Sequence, residues 1–290
     1  MNYGKWMEKN AGRLDGKTAA ISGATGGLGR ELCRHFATLG AALVLIDRNP
    51  KKQTALIGEL MSEHPNLAVR GMTADMEDMD SVKRVAAELL ASPPDFLILN
   101  AGAYHIPRHK TGVGYDNVFT INFIAPYYLA KTLKSTLEAR GGRVIAVSSI
   151  AHNYSKTDPE DIDFSKREKS SKVYGNAKRY LTFALYHLFK DSDSLAIAHP
   201  GITFTGITAH YPKLIFALIK HPMKVIFMKP KKAALPIVKG VFIPCRQNEW
   251  LGPRLFGIWG KPKKTALATC GEAESAAIFE IAETIFDEIQ

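Results

Sequence analysis

At 290 residues and 31.9 kDa the chain suits one large α/β domain or two small ones, and its 46% hydrophobic content can fill a sizeable core. The formal charge of +10 suits an anionic ligand or surface, but no nucleic-acid-binding motif accompanies it, which argues against a nucleic-acid partner. Cys33, Cys245 and Cys270 are far apart in no CxxC or metal-ligand pattern, so the chain reads as a reduced, metal-free protein of the cytoplasm.

The first ten residues lack the apolar stretch of a secretory signal, and no later run is long enough to span a bilayer. From there strands and helices alternate. Lys17–Ser22 predicts a strand and Leu28–Leu39 a helix, followed by strand Ala42–Asp47, helix Lys51–Ser62, strand Leu67–Arg70 and helix Asp78–Leu90. Strand Phe96–Asn100, the long helix Tyr115–Ala139, strand Arg143–Ser148, helix Lys172–Phe189 and strand Leu195–Ala198 continue the series. Nearly continuous apolar strands fit a parallel sheet covered on both faces. The alternation predicts an α/β, doubly wound parallel sheet, a three-layer αβα Rossmann fold, as a single domain over residues 1–290.

After Pro200-Gly201 the pattern breaks. Leu214–Ile219 and Val225–Met228 are apolar, and the stretch Lys213 to Lys232 is basic. It predicts either a substrate lid at about 204–230 or a peripheral membrane contact. A helix at Lys231–Gly240, a strand near Leu255–Ile258 and an acidic C-terminal helix at about 271–288 complete the chain.

Four groups of residues carry chemistry. The first strand runs through Ser22-Gly23-Ala24-Thr25-Gly26-Gly27-Leu28-Gly29 straight into a helix. Glycines there let the backbone turn tightly against a pyrophosphate, which the helix N-terminus attracts. Asp47 closes the second strand, roughly 20 residues on, where a carboxylate accepts from the adenosine ribose hydroxyls and favours NAD. Its neighbour Arg48 can pair with a 2′-phosphate, so NADP stays open. Asp75, beside Met76, is placed to accept from adenine, or else caps the next helix. Tyr174 and Lys178 stand at i and i+4 of a helix and share one face, where a fixed cation can lower the phenol pKa toward a useful range. Alone, that pair reads as a solvated helix face.

In order, Gly23-x-x-x-Gly27-x-Gly29, Asn100-Ala101-Gly102, Asn122, Ser149, Tyr174-x-x-x-Lys178 and Pro200-Gly201 resemble the short-chain dehydrogenase/reductase family over roughly residues 14–206. Thr111-Gly-Val-Gly-Tyr115 before Asn122, and the long insertion between Ser149 and Tyr174, place it near the retinol-dehydrogenase-like branch. The resemblance implies Tyr174 as acid and base, Lys178 lowering its pKa and holding the nicotinamide ribose, Ser149 on the substrate oxygen and Asn122 anchoring a water. It further implies that Asn100, Ala101 and Gly102 admit the adenosine ribose, and that Pro200, Gly201, Ile202 and Thr205 cover the nicotinamide. His105 and His152 are candidates for the substrate pocket, against an ordinary structural role.

The expected activity is interconversion of a hydrophobic, steroid-, retinoid- or long-chain-like alcohol with its carbonyl. Reduction of a carbon–carbon double bond and non-catalytic dinucleotide sensing are the alternatives. The family habit implies a homodimer or homotetramer built through the helices that carry Asn122 and Tyr174.

Overall fold

The computed structural model describes residues 3–201, 228–255 and 257–290. Ile202, Thr205 and nearly all of the expected lid lie outside them. An amino-terminal helix α1 (Tyr3–Asn10), not expected from the sequence, precedes the sheet and buries Trp6 and Met7. The alternating core is β1 (Thr18–Ser22), α2 (Gly27–Leu39), β2 (Ala42–Asp47), α3 (Pro50–Glu63), β3 (Val69–Thr73), α4 (Met79–Ala91) and β4 (Phe96–Leu99). It continues with α5 (Asn117–Phe119), α6 (Ala125–Ala139), β5 (Arg143–Val147), α7 (Ser170–Leu188) and β6 (Leu195–Ala198).

The strands form one sheet in the order β3-β2-β1-β4-β5-β6, extended by β7 (Glu249–Leu255) and β8 (Trp259–Ala266). All neighbours are parallel except β7 and β8, which form an antiparallel hairpin. β1 pairs with β2 on one side and β4 on the other, so the winding reverses there and a crevice opens at the carboxyl ends of these strands. The expected doubly wound α/β architecture is observed. Two apolar clusters, one on each sheet face, make it a three-layer sandwich.

The departures from the expected elements have local causes. The third strand lies at Val69–Thr73 rather than Leu67–Arg70, because it pairs Val69 with Leu43 and Thr73 with Asp47 at the sheet edge, where burial barely constrains its sequence. Of the strand expected near Leu255–Ile258, Leu255 ends β7, Gly257 and Ile258 lie in the turn before β8, and Phe256 lies outside the described residues; β8 is rich in lysine. The single helix expected at Lys231–Gly240 is two, α8 (Pro230–Ala233) and α9 (Leu235–Phe242), each with proline in its first turn, where a missing N–H is harmless.

The terminal helix α10 (Glu272–Ile289) lies across α7 and reaches α6. Phe286 stacks near Tyr128 at 5.2 Å and takes Lys131 Nζ over its ring at 3.9 Å. Arg179, nearly fully buried on α7, makes a two-pronged contact with Glu274 (2.8 and 2.6 Å) and also donates to the Thr269 and His152 carbonyls. These contacts fix the C-terminal helix on the outer side of α7 and α6.

Candidate active site

The glycine turn is shaped by close contact. Gly23 has φ +63, and a Cβ there would lie 2.9 Å from Ala101 Cα, while a Cβ on Gly29 would lie 2.1 Å from the Gly23 carbonyl. Ser22 braces the turn from below. Its Oγ accepts from the Asn100 and Ala101 amides, and Asn100 Nδ2 donates to the Ser22 and Gly23 carbonyls. Helix α2 starts with Gly26 as its N-cap, without a side-chain cap or an acid in its first turn. Its first N–H groups are left to an anionic ligand, which is the observation that fits these residues to a dinucleotide pyrophosphate.

Asp47 stands at the rim of this turn but is not idle. Its Oδ2 accepts from the Thr25 amide at 2.9 Å and the Thr25 hydroxyl at 2.8 Å, and its Oδ1 from the Asn49 amide at 3.3 Å. Thr25, expected to touch the cofactor, thus spends its amide and hydroxyl on the Asp47 carboxylate. Arg48 is exposed. Asp75 Oδ1 accepts from the Glu77 amide, while the cap of α4 is Asp78, so the simple capping reading of Asp75 does not hold; Met76 is buried beside it.

Asn122 lies in a π turn, Thr120–Ile124, that joins α5 to α6. The widened turn frees the Val118 carbonyl, which takes Asn122 Nδ2 at 2.8 Å together with the Ala103 carbonyl at 2.8 Å. Asn122 Oδ1 is buried without a hydrogen-bond partner, an arrangement that calls for a bound water. A Cβ on Gly102 would meet that oxygen at 2.8 Å and Lys178 Nζ at 3.7 Å, so glycine is what lets the amide and the ammonium share this space.

On α7, Lys178 is buried and donates to the Val147 carbonyl at 3.0 Å; burial brings its pKa down to about 7. Tyr174 is only partly buried by accessible surface. Desolvation nevertheless pushes its phenol up to about 12, against the hydrogen bond with Ser149, which pulls it down. Lys178 Nζ lies 5.7 Å from the Tyr174 ring centroid while donating to the Val147 carbonyl. Ser149 follows β5 and caps the short turn Ile150–Asn153 by accepting from the Ala151 amide.

Tyr104 packs edge-on against Tyr174 at 5.4 Å, and Tyr154, largely exposed, also bears on its phenol. Neither aromatic stands in a motif, so the sequence offered no signal for them. His152 is fully buried, bonded to the Ser149 carbonyl and Thr269 Oγ1, and does not line a substrate pocket. His105 has φ +53 and bonds Ser170 Oγ on the first turn of α7. Another histidine shapes the far wall. Neutral His199, stacked on Trp250 at 4.1 Å and pushed down to about 3 by burial, accepts from the Gly201 amide at 3.2 Å and sets the Pro200-Gly201 turn.

The fold and the placement of these groups define a dinucleotide-binding oxidoreductase scaffold. A model described as short chain dehydrogenase matches residues 17–158. Retinol dehydrogenase 12 of Mus musculus is 30% identical over 206 residues, covering 68% of this chain and 64% of that protein. A Streptomyces protein provisionally named daunorubicin C-13 ketoreductase is 30% identical, with 68% of this chain and 69% of that protein covered. The chain spans somewhat under two thirds of the mouse retinol dehydrogenase and of human polyprenol dehydrogenase (63%). Among solved structures, an uncharacterised Mycobacterium paratuberculosis protein matches with TM-score 0.76 at 23% identity over 95% of both chains. L-sorbose reductase from Gluconobacter frateurii, complexed with NADPH and L-sorbose, matches with TM-score 0.61 at 20% identity over 80% of this chain and 91% of that one. The chain belongs to the short-chain dehydrogenase/reductase family, near its retinol-dehydrogenase branch.

Proposed function

We propose that this protein interconverts an alcohol and its carbonyl with a nicotinamide dinucleotide, with Tyr174 as the acid and base. The observation that carries the reading is the side-chain hydrogen bond of Ser149 with the Tyr174 phenol, with Lys178 Nζ 5.7 Å from the Tyr174 ring and the unsatisfied Asn122 Oδ1 beside Gly102. When bound, the nicotinamide supplies or accepts the hydride. The protein's part is positioning and proton transfer.

Ser149 and Tyr174 present two hydroxyls to one substrate oxygen. Ser149 holds that oxygen and Tyr174 donates its proton to it in reduction, or takes it in oxidation. Burial raises the phenol to about 12 and the Ser149 hydrogen bond opposes the rise. Lys178, with a pKa near 7, takes up and releases a proton close to neutrality, and a water on Asn122 Oδ1 links it to solvent. Gly23, Gly26, Gly27, Leu28 and Gly29 would hold the pyrophosphate side, Thr25 would act by holding Asp47, Asn100, Ala101 and Gly102 would admit the adenosine ribose, and Pro200 and Gly201 would face the nicotinamide side.

NAD is the favoured cofactor, because the Asp47 carboxylate repels a 2′-phosphate where Arg48 offers only an exposed counter-charge. The aromatic pair Tyr104 and Tyr154 beside Tyr174 supports an apolar substrate. The test is a panel of hydroxysteroids, retinoids and aliphatic alcohols with their carbonyls, run with NAD and NADP, on the wild type and Tyr174→Phe. The variant is expected to lose turnover by at least ~10³-fold while binding dinucleotide as before. Unchanged turnover in Tyr174→Phe refutes the catalytic assignment, and a clear NADP preference refutes the role given to Asp47.

A further inference from the structure

The turn that carries Ser149 is held by its own histidine. The Ser149 hydroxyl accepts from the Ala151 amide at 3.2 Å and bonds the Tyr174 phenol, so its aim depends on the backbone beneath it. That backbone is extended, with φ −148 and ψ 150. Its carbonyl oxygen takes two donors from His152, the amide at 3.2 Å and ring Nδ1 at 2.6 Å. A carbonyl has two lone pairs, and here one residue occupies both. The peptide plane after Ser149 is thereby fixed, and with it the direction in which the Cα–Cβ bond leaves the chain. Only χ1 of the serine remains to be chosen, among its staggered positions.

The imidazole is equally constrained. It is fully buried, edge-on to Trp250 at 5.3 Å and to Phe183 at 6.0 Å. Burial keeps its pKa below the ordinary 6.5, so at pH 7 the ring is neutral and owns one N–H. The Ser149 carbonyl can only accept, which puts that hydrogen on Nδ1. Nε2 then accepts, and Thr269 Oγ1 stands 2.9 Å away to donate. Thr269 lies between β8 and α10. Its carbonyl takes Arg179 Nη2 at 2.9 Å, and the His152 carbonyl takes Arg179 Nη1 at 3.2 Å. One arginine, next to Lys178 on α7, thus holds both the histidine's backbone and the residue that sets its tautomer.

A histidine buried for stability needs its two nitrogens satisfied and nothing more. This one spends its N–H on the carbonyl of Ser149 itself and takes its tautomer from a residue 117 positions away. We propose that His152 is a positioning residue of the reaction: through the Ser149 carbonyl it aims the Ser149 hydroxyl at the Tyr174 phenol, and Thr269 holds it in the tautomer that can do so. The role presupposes that Ser149 holds the substrate oxygen, as proposed for the reaction. It gives the segment ahead of the C-terminal helix a part in the chemistry.

Full-length protein is assayed with retinal, a ketosteroid and an aliphatic ketone, each reduced by NADH and by NADPH. His152→Phe keeps a ring in place and removes its N–H. It is expected to lower kcat ~30-fold or more, the scale of a misplaced reacting group, with KM and dinucleotide affinity nearly unaltered. His152→Asn, whose Nδ2 reaches where Nδ1 stood, is expected to recover most of that loss. Because His152 acts through Ser149, adding His152→Phe to Ser149→Ala is expected to cost no more than about twofold further. Nitrogen NMR of the labelled imidazole is expected to show the Nδ1–H tautomer in the wild type. Thr269→Val, which removes the donor and keeps the shape, is expected to mix the tautomers and to lower kcat severalfold.

Full kcat in His152→Phe overturns the proposal, as does His152→Asn impaired as deeply as His152→Phe. So does a further loss in the double variant as large as that of His152→Phe alone, because the ring would then serve the fold only. Should His152→Phe fail to fold by circular dichroism, Thr269→Val decides: an unaltered tautomer and an unaltered kcat overturn the role. Turnover retained by Ser149→Ala, or absent from the wild type with every carbonyl, overturns the reading of the site and this role with it.

Discussion

Replacing Glu274 with glutamine leaves the Arg179 guanidinium buried without its counter-charge. In the native protein Arg179 is 3% exposed at its side chain and grips both carboxylate oxygens, while Thr157 donates to one of them from its amide and hydroxyl. The Arg179 hydrogen bonds, outweighing the opposing effect of burial, hold the Glu274 carboxyl at about 2 against an ordinary 4.5. At about 1.4 kcal/mol per pH unit that difference corresponds to about 3 kcal/mol. The Glu274 side chain is still 23% exposed, and solvent screening reduces the expected effect to about 2 kcal/mol. The carboxylate's pKa is depressed on folding, so its contribution is complete above about pH 4.5 and is lost as pH falls toward 2. Urea unfolding of wild type and Glu274→Gln at pH 7 is expected to differ by about 2 kcal/mol, or roughly 3 °C in a thermal melt. The gap should have more than halved by about pH 3. A gap below about 0.5 kcal/mol at pH 7, or one equally large at both pH values, would refute the account of the Arg179–Glu274 pair as what holds α10 on α7.

Gly29→Ala places a Cβ 2.1 Å from the Gly23 carbonyl, so the turn must open; dinucleotide affinity measured by calorimetry is expected to fall at least ~30-fold, and unaltered affinity would contradict the close-contact account. Lys178→Met removes an amine whose pKa drops from 10.5 to about 7 on folding. The unfolded chain binds the extra proton between those values, so wild-type stability gains from this group as pH rises from 7 to 10.5. The variant is expected to be inactive and more stable than wild type at pH 7 by at least about 1 kcal/mol, with the advantage shrinking by about pH 10. An advantage independent of pH would show that Lys178 is charged in the fold throughout.

The alternation of apolar strands and amphipathic helices was legible because it reflects repeated local requirements: a strand covered on both faces must be apolar along its whole length. The glycine turn, Asn122, Ser149 and the Tyr174–Lys178 pair were legible for a related reason, since each chemistry admits few residue types at a given spacing. Third-strand placement was not, because the edge strand Val69–Thr73 includes Gly71 and exposes Arg70, and only pairing with β2 locates it. β8 was missed because exposed lysines erase the apolar signal of a strand.

What sequence alone determined, then, is the architecture and the family, both written in local pattern and short motifs. Tertiary structure alone decided what the residues of those motifs feel. Lys178 meets the Val147 carbonyl, Thr25 holds Asp47, and Asn122 Oδ1 is left unpaired behind Gly102. It also revealed the Arg179–Glu274 latch, whose partners lie 95 positions apart, and the aromatic contact of Tyr104 with Tyr174. Burial, charge pairing and hydrogen-bond satisfaction are sums over neighbours brought together from across the chain, and no local pattern carries them.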